Sequence, residues 1–285
     1  MQQAFPVDLQ GKVAVVTGGG GVLCAEMARS LAQAGASVAI LDLNKEAAEQ
    51  VAQGIQAEGG RGIGIAANVL ERASLELAAA EVAERLGPCD LLINGAGGNH
   101  PKGTTSREQF SPEDLQAQDP ALVSFFSLDP QGMRFVFDLN FLGTLLPSQV
   151  FVRQMIGREG CSVLNISSMN AFRPLTKIPA YSAAKAAVSN FTQWLAVHLA
   201  PAGVRVNAIA PGFFVTQQNR ALLFSSAGEP TARAGKILAN TPMRRFGEAR
   251  ELSGTLLWLA SEAASGFVNG VVVPVDGGFS AYSGV

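Results

Sequence analysis

The amino-acid sequence predicts an α/β protein with a doubly wound, Rossmann-type parallel sheet of about seven strands and helices on both faces. Three observations support this. Short β-branched apolar runs alternate with segments of helical periodicity, a glycine-rich turn follows the first run, and an acidic residue ends the second. Because no linker or change in composition divides residues 1–285, we expect a single domain.

The alternation of strands and helices continues along the chain, which predicts right-handed crossover units. Strands are predicted at 12–17, 37–41, 61–66, 90–94, 161–166, 203–210 and 269–275, and helices at 22–34, 44–58, 71–86, 131–156, 180–199 and 248–260. Residues 99–130 and 213–245 lack clean periodicity. Loops of this length in a compact domain are commonly functional, so we interpret both as active-site loops.

The glycine run after the first strand indicates a nucleotide site. Gly18–Gly21 precede the helix that begins at Val22, so backbone N–H groups and a helix N-terminus meet where a pyrophosphate can bind. Asp42 follows the second strand, where a carboxylate accepts hydrogen bonds from an adenosine ribose and repels a 2′-phosphate. We therefore expect NAD (NADH/NAD⁺) as cofactor, with dual use left open by the nearby Lys45.

A tyrosine and a lysine share one face of the predicted helix 180–199. Tyr181 and Lys185 are four residues apart, and Ser168, at the end of strand 161–166, can direct its hydroxyl to the same place. Because a fixed ammonium beside a phenol favours the phenolate, we expect Lys185, helped by a cofactor's positive ring, to lower the pKa of Tyr181. This spacing alone also fits the surface of an amphipathic helix, so the other motifs must decide.

The composition argues against several classes of function. Hydrophobic residues make up 48% and charged residues 15%, and the net charge is −2 with no basic block, which argues against nucleic acid as a partner. We find neither a membrane-length apolar run nor leader-like features in residues 1–10, so we predict a cytoplasmic protein with no membrane partner. Cys24, Cys89 and Cys161 have no metal or disulfide spacing, so we expect core thiols and no metal site.

Further motifs along the chain are Asn68-Val69, Asn94-Gly95-Ala96-Gly97, Asn140 and Pro211-Gly212. Together with Thr17-Gly18 and its glycine run, Asp42, Ser168, Tyr181 and Lys185, they resemble the single-domain short-chain dehydrogenase/reductase family over nearly the whole chain. The resemblance implies an NAD-binding catalytic domain with a tetrad of Asn140, Ser168, Tyr181 and Lys185. Tyr181 would be the acid/base, and Ser168 would hydrogen-bond the substrate oxygen. Lys185 would hold the nicotinamide ribose, and Asn140 would steady a proton-relay water. The implied cofactor contacts are Thr17, Gly18, Gly20, Gly21, Val22, Leu23, Asp42, Leu43, Asn68, Val69, Asn94, Gly95, Ala96, Gly97, Tyr181, Lys185, Pro211, Gly212, Phe214 and Thr216.

Two departures from the family pattern affect the nucleotide site. Val22 and Cys24 stand where the family usually has glycine, and Gly95 stands where it often has asparagine. Because Val22 cannot take a positive φ cheaply, the turn must use ordinary dihedral angles there. Cys24 is small enough for close packing of helix on strand. A non-catalytic NAD-sensing protein is an alternative that the altered turn suits and the complete tetrad does not.

Within the family, residues 94–102, 168–177 and 276–282 resemble the group of D-mannonate oxidoreductases, or fructuronate reductases. The resemblance implies interconversion of D-mannonate and D-fructuronate; a reductase of another keto-polyol or keto-gluconate, such as gluconate 5-dehydrogenase, is the alternative. A sugar acid requires a cation for its carboxylate and polar groups for its hydroxyls. The substrate-binding candidates are His100, Lys102, Ser168, Asn170, Arg173, Lys177, Asn219 and Arg220. The family also implies a homo-oligomer, a tetramer or a dimer.

Overall fold

The computed structural model describes residues 7–284 and contains a seven-stranded parallel sheet in the order β3-β2-β1-β4-β5-β6-β7. Residues 1–6, part of the segment in which no leader is predicted, lie outside the described residues. The strands are β1 (Val13–Thr17), β2 (Ser37–Asp42), β3 (Arg61–Ala66), β4 (Leu91–Asn94), β5 (Cys161–Ile166), β6 (Val204–Pro211) and β7 (Val272–Val275). The predicted doubly wound sheet is therefore confirmed.

Helices cover both faces of the sheet, as the alternating pattern predicts. They are α1 (Val22–Gln33), α2 (Lys45–Ala57), α3 (Arg72–Arg85), α4 (Pro130–Phe137), α5 (Gly143–Phe151), α6 (Pro179–Leu199), α7 (Gln217–Leu223), α8 (Ala232–Asn240), α9 (Ser253–Ala260) and α10 (Glu262–Ser265). One apolar core joins α1, α2 and α9 to the sheet. A second core joins α3, α5 and α6 to the opposite face.

The two segments without periodicity contain short elements. Three 3₁₀ turns, Pro101–Gly103, Pro112–Leu115 and Phe125–Ser127, interrupt residues 99–130. The segment 213–245 carries α7 and α8, which with nearby phenylalanines form a small apolar cluster of their own. Both segments follow strands at the carboxyl edge of the sheet, where ligands of doubly wound folds bind.

The helical stretch between β4 and β5 differs from the expected continuous helix with a kink at Pro147. Its irregularity is a π turn at Asp138–Leu142, and Pro147 lies inside α5. By length and composition the 25-residue stretch Pro130–Gln154 could cross a membrane, which corrects the expectation that no such run exists. Half of its apolar window is buried inside the protein, where it packs against α3 and α6, and so it has the surroundings of a core helix.

Candidate active site

The glycine turn after β1 brings backbone N–H groups to the start of α1. Gly18 has a φ of +64°, and a Cβ there would lie 2.8 Å from the Cα of Ala96, so this position requires glycine. Gly21 precedes α1 in an extended conformation and is its N-cap residue. Because no side chain caps this end in the described structure, the first backbone amides of the helix can bind a ligand. Val22 has no positive φ, which confirms that the turn uses ordinary dihedral angles at this residue.

Asp42 ends β2 beside this turn, as expected for a ribose-binding carboxylate. Its Oδ2 atom accepts a hydrogen bond from the Gly20 amide at 3.0 Å, and its Oδ1 atom accepts one from the Asn44 amide at 3.0 Å. A Cβ on Gly20 would lie 3.0 Å from Oδ2, so the turn approaches the carboxylate closely only because this residue is glycine. The remaining candidates on this side are Leu23 and Asn68, which are half-buried, Val69, which is buried, and Leu43, which is exposed.

The two departures from the family pattern, Cys24 and Gly95, meet in a single contact. A Cβ added to Gly95 would lie 2.3 Å from the Cys24 Sγ atom and 2.9 Å from the Thr17 carbonyl oxygen. The thiol therefore occupies the space that a side chain at position 95 would need. Burial raises the pKa of Cys24 to about 12, against the smaller opposing effect of Lys185, so the thiol is a packing group and a poor nucleophile.

A row of polar side chains crosses three buried strands at their carboxyl ends. Thr17, Asn94 and Asn165 are register partners on β1, β4 and β5. The Asn94 amide nitrogen donates to the Ser148 hydroxyl and to the Asn165 amide oxygen, both at 2.9 Å, and Asn165 donates to Thr192 on α6 at 2.9 Å. Sequence reasoning missed Ser148, Asn165 and Thr192, although an asparagine inside a fully buried strand is the signal that could have found this row.

Asn140 lies in the π turn Asp138–Leu142, a feature that often marks functional sites. Its side chain is fully engaged by backbone, because Oδ1 accepts from the Gly98 amide at 3.1 Å and Nδ2 donates to the carbonyl oxygens of Gly98 and Val136, both at 2.7 Å. A Cβ on Gly97 would lie 2.6 Å from Oδ1. Asn140 thus holds the turn after β4 against the helix.

Ser168, Tyr181 and Lys185 come together at the carboxyl end of β5. The Lys185 ammonium is buried, donates to the Ile166 carbonyl oxygen at 2.8 Å and lies 5.7 Å from the centre of the Tyr181 ring. Ser167, which sequence reasoning also missed, donates its hydroxyl to the Lys185 carbonyl oxygen at 3.1 Å and so ties α6 to the strand end. The end of β5 and the first turns of α6 therefore form one hydrogen-bonded unit.

Burial controls the titration of this group. Desolvation raises the pKa of Tyr181 above its ordinary value, and a hydrogen bond with the Ser168 side chain acts in the opposite direction. The expectation that Lys185, helped by the positive ring of a cofactor, lowers the pKa of Tyr181 stays a prediction, because this upward shift is that of the protein without a cofactor. Desolvation also lowers the pKa of Lys185 to about 8, which leaves it largely protonated at neutral pH.

The segment after β6 packs closely against the segment after β7. Pro211 ends β6, and a Cβ on Gly212 would lie 2.6 Å from the Cα of Asp276. Phe214 is buried, whereas the half-buried Thr216 caps α7. Of the substrate candidates here, Asn219 uses its side chain to bond the Thr216 amide and the Phe214 carbonyl oxygen, both at 2.8 Å. Arg220, also a substrate candidate, lies over the Phe224 ring at 5.5 Å.

The remaining substrate candidates fall into two groups. His100 accepts a hydrogen bond from the Lys102 amide at 3.2 Å and contacts Phe135 edge to face, while the Lys102 side chain is exposed. In the segment between Ser168 and Tyr181, the buried Asn170 has an amide oxygen that finds no partner in the described part of the chain, and Arg173 donates to the Ser280 carbonyl oxygen at 3.1 Å. Lys177, half-buried in the same segment, has a φ of +72°.

Comparison with known proteins gives a consistent result. A family model described as short chain dehydrogenase matches residues 12–224. An uncharacterized oxidoreductase of Haemophilus influenzae is 57% identical over 278 residues, which cover 98% of this chain and 96% of the relative. The crystal structure of a provisionally assigned D-mannonate oxidoreductase from Haemophilus influenzae, with bound NAD, has a TM-score of 0.92 and 56% identity, and the match covers 98% of both chains. That of a gluconate 5-dehydrogenase from Burkholderia cenocepacia, in complex with NADP and tartrate, has a TM-score of 0.82 and 30% identity, also with 98% of both chains covered.

We expect Gly95→Ala to lower the free energy of unfolding by about 1–3 kcal/mol, the usual cost of overpacking. The added methyl group collides with the Cys24 thiol. Adding Cys24→Ala should recover part of the loss, since the approach to the Thr17 carbonyl remains. Urea denaturation measures both effects. Gly98→Ala is the matched control, because a Cβ there meets nothing within 4 Å. Equal stability of the Gly95→Ala and Gly98→Ala variants would contradict the contact.

Proposed function

This chain belongs to the short-chain dehydrogenase/reductase family, and on that premise we propose that it is an NAD-dependent oxidoreductase that interconverts D-mannonate and D-fructuronate. The observation that carries the proposal is the meeting of Ser168, Tyr181 and Lys185 at the end of β5, beside the turn that follows β4, where a Cβ on Gly97 would lie 3.1 Å from the Lys185 Nζ atom. Such a site can protonate the oxygen of a carbonyl group as it is reduced to an alcohol. We also propose that residues 1–285 form one NAD-binding catalytic domain.

The glycine turn fits a nicotinamide dinucleotide. The close approaches at Gly18 and Gly20 leave a side-chain-free cradle at the N-terminus of α1, where the pyrophosphate would bind. Asp42 would accept hydrogen bonds from the hydroxyls of the adenosine ribose, and Lys185 would donate hydrogen bonds to the nicotinamide ribose. When bound, the nicotinamide supplies or accepts the hydride. A carboxylate at Asp42 supports NAD over NADP, and two related structures contain NAD in one case and NADP in the other.

The catalytic residues act on the substrate oxygen. The Ser168 hydroxyl would donate a hydrogen bond to the carbonyl oxygen and keep it beside the Tyr181 hydroxyl. Because its pKa is raised, Tyr181 is protonated at neutral pH and donates its proton as negative charge develops on that oxygen. The Lys185 ammonium, held by the Ile166 carbonyl, then stabilises the tyrosinate. Asn140 acts through the backbone of Gly98, whose position it determines.

Two other functions have specific support. A keto-gluconate reductase would use the same Ser168, Tyr181 and Lys185 set, and the related gluconate 5-dehydrogenase supports it. A non-catalytic NAD sensor would suit the altered glycine turn, but such a protein has no need for a buried ammonium beside a tyrosine. We favour D-fructuronate because the relative of 56% identity carries the D-mannonate assignment.

We also propose that the protein is a homo-oligomer, a tetramer or a dimer. Trp194 and Val197 are 56% and 77% exposed on α6, and the Trp194 ring stacks between Phe191 and His198. An exposed aromatic row of this kind on a long helix is typical of a subunit contact.

The cofactor preference can be tested at Asp42. We expect wild-type protein to bind NADH more tightly than NADPH. Asp42→Ala should reduce the ratio of the Kd for NADPH to the Kd for NADH by about tenfold or more, equivalent to about 1.4 kcal/mol. The physical reason is the loss of carboxylate repulsion toward the 2′-phosphate. Fluorescence titration with both nucleotides measures this. Glu46→Ala, which removes an exposed carboxylate four residues later, should leave the ratio unchanged. Preference of the wild type for NADPH would reject the assignment.

A substrate assay tests the activity. With NADH, we expect kcat/KM for D-fructuronate to exceed that for 5-keto-D-gluconate by at least about tenfold, since about 1.4 kcal/mol of differential binding suffices. Tyr181→Phe should lower kcat for D-fructuronate by about 10²–10⁴-fold, which is the usual contribution of a general acid. The matched control, Tyr282→Phe, should retain it. Preference for 5-keto-D-gluconate would support the alternative reductase, and NADH binding without turnover of any sugar acid would support the sensor.

A further inference from the structure

A carboxylate of the chain itself is paired with one cation and lies within electrostatic reach of two others. Glu108, in the segment 99–130, accepts hydrogen bonds from the Lys236 ammonium at 2.9 and 3.0 Å, one to each carboxylate oxygen. Lys236 is 66% exposed and Glu108 46% exposed, so water reaches the pair. The other two cations are Lys177 and Arg233. We refer to Lys177, Arg233 and Lys236 as the cation cluster.

Backbone structure holds the cation cluster in place. Arg233 and Lys236 are three residues apart on α8 and share its exposed face, while Ala234 and Ile237 are buried. The Thr231 side chain caps α8 by accepting from the Ala234 amide at 3.2 Å. A cluster mounted on a capped and anchored helix is a more defined binding surface than cations on an irregular loop.

Lys177 is the member of the cation cluster that lies in the same segment as the catalytic residues. It lies between Ser168 and Tyr181, and its carbonyl oxygen accepts a hydrogen bond from the Thr105 amide at 2.9 Å, which brings the loop that carries Glu108 to this segment. Its φ of +72° is uncommon for a residue with a side chain, and such conformations concentrate at ligand sites.

The charges of the cluster are not balanced. The hydrogen bond with Lys236 lowers the pKa of Glu108, and the charges of Lys236, Lys177 and Arg233 add to that effect. In the described part of the chain, neither Lys177 nor Arg233 has a carboxylate within 4.0 Å, so three cations share one anion. An exposed pair of this kind is weak and can exchange partners.

We propose that the cation cluster binds the carboxylate of the sugar-acid substrate. In the ligand-free protein, the Glu108 carboxylate occupies the position of the substrate carboxylate. The inference rests on the proposed function and names the residues that select an acid. The substrate would displace the Glu108 carboxylate and keep the same kind of charge-assisted hydrogen bonds. Glu108 is then an internal competitor, and its removal should strengthen substrate binding.

Steady-state kinetics with D-fructuronate and its uncharged methyl ester test this. Loss of a charge-assisted contact in Lys236→Met should raise the KM for D-fructuronate about tenfold, and Arg233→Met should act in the same direction. Removal of the competitor in Glu108→Gln should lower that KM at least about threefold. None of the three should change the KM for the ester or for NADH. Arg85→Met removes a cation from an exposed pair on α3 and is the matched control.

The outcomes are distinct. Turnover of D-fructuronate with an unchanged KM in both Lys236→Met and Arg233→Met overturns the role of the cation cluster and leaves the proposed function intact. A KM for D-fructuronate that rises in Glu108→Gln also overturns this role, because the Glu108–Lys236 pair would then serve to connect the two loops. If the wild type reduces no sugar acid, the proposed function fails, and the cation cluster loses its role with it.

Discussion

The buried ammonium of Lys185 is the interaction on which the candidate site depends. Its side chain is 3% exposed, and its described hydrogen bond is donated to the Ile166 carbonyl oxygen. Taking a charge out of water costs several kcal/mol unless polar partners compensate. The carbonyl at the end of β5 must therefore stay within reach of α6, and the Ser167 hydroxyl strengthens the same junction. This constraint sets the position of Ser168 relative to Tyr181.

Burial also affects the protonation state of Tyr181, the proposed acid. Desolvation favours the protonated form of Tyr181, which is the form that the proposed reduction of a ketone requires. Oxidation of an alcohol needs the tyrosinate, and the positive nicotinamide ring of bound NAD⁺ would favour its formation. Asn140 bonds the backbone of Gly98 and Val136, and Asn94 bonds the Asn165 side chain across β4 and β5. The polar groups of the site thus divide into those that we propose act on the substrate oxygen and those that position the chain.

Local patterns predicted the sheet, the helices and the grouping of Ser168 with Tyr181 and Lys185, because strand periodicity and i, i+4 spacing depend on neighbouring residues. Contacts between distant segments were not predictable. The Cys24–Gly95 packing and the Glu108–Lys236 pair join residues far apart in the chain. The raised pKa of Tyr181 in the protein alone was not predictable, because burial is a tertiary property. The π turn at Asn140 was missed because Pro147 offered a more visible local irregularity.

The most direct test of this account is the titration of Tyr181 itself. The chain has two tyrosines, so the ultraviolet difference between wild type and Tyr181→Phe isolates its ionisation. Without nucleotide, the account predicts a transition above pH 10, the ordinary value for tyrosine, and a shift to lower pH when NAD⁺ is added. A transition near pH 7 in the protein alone would contradict it, because Lys185 would then outweigh burial without any help from the cofactor.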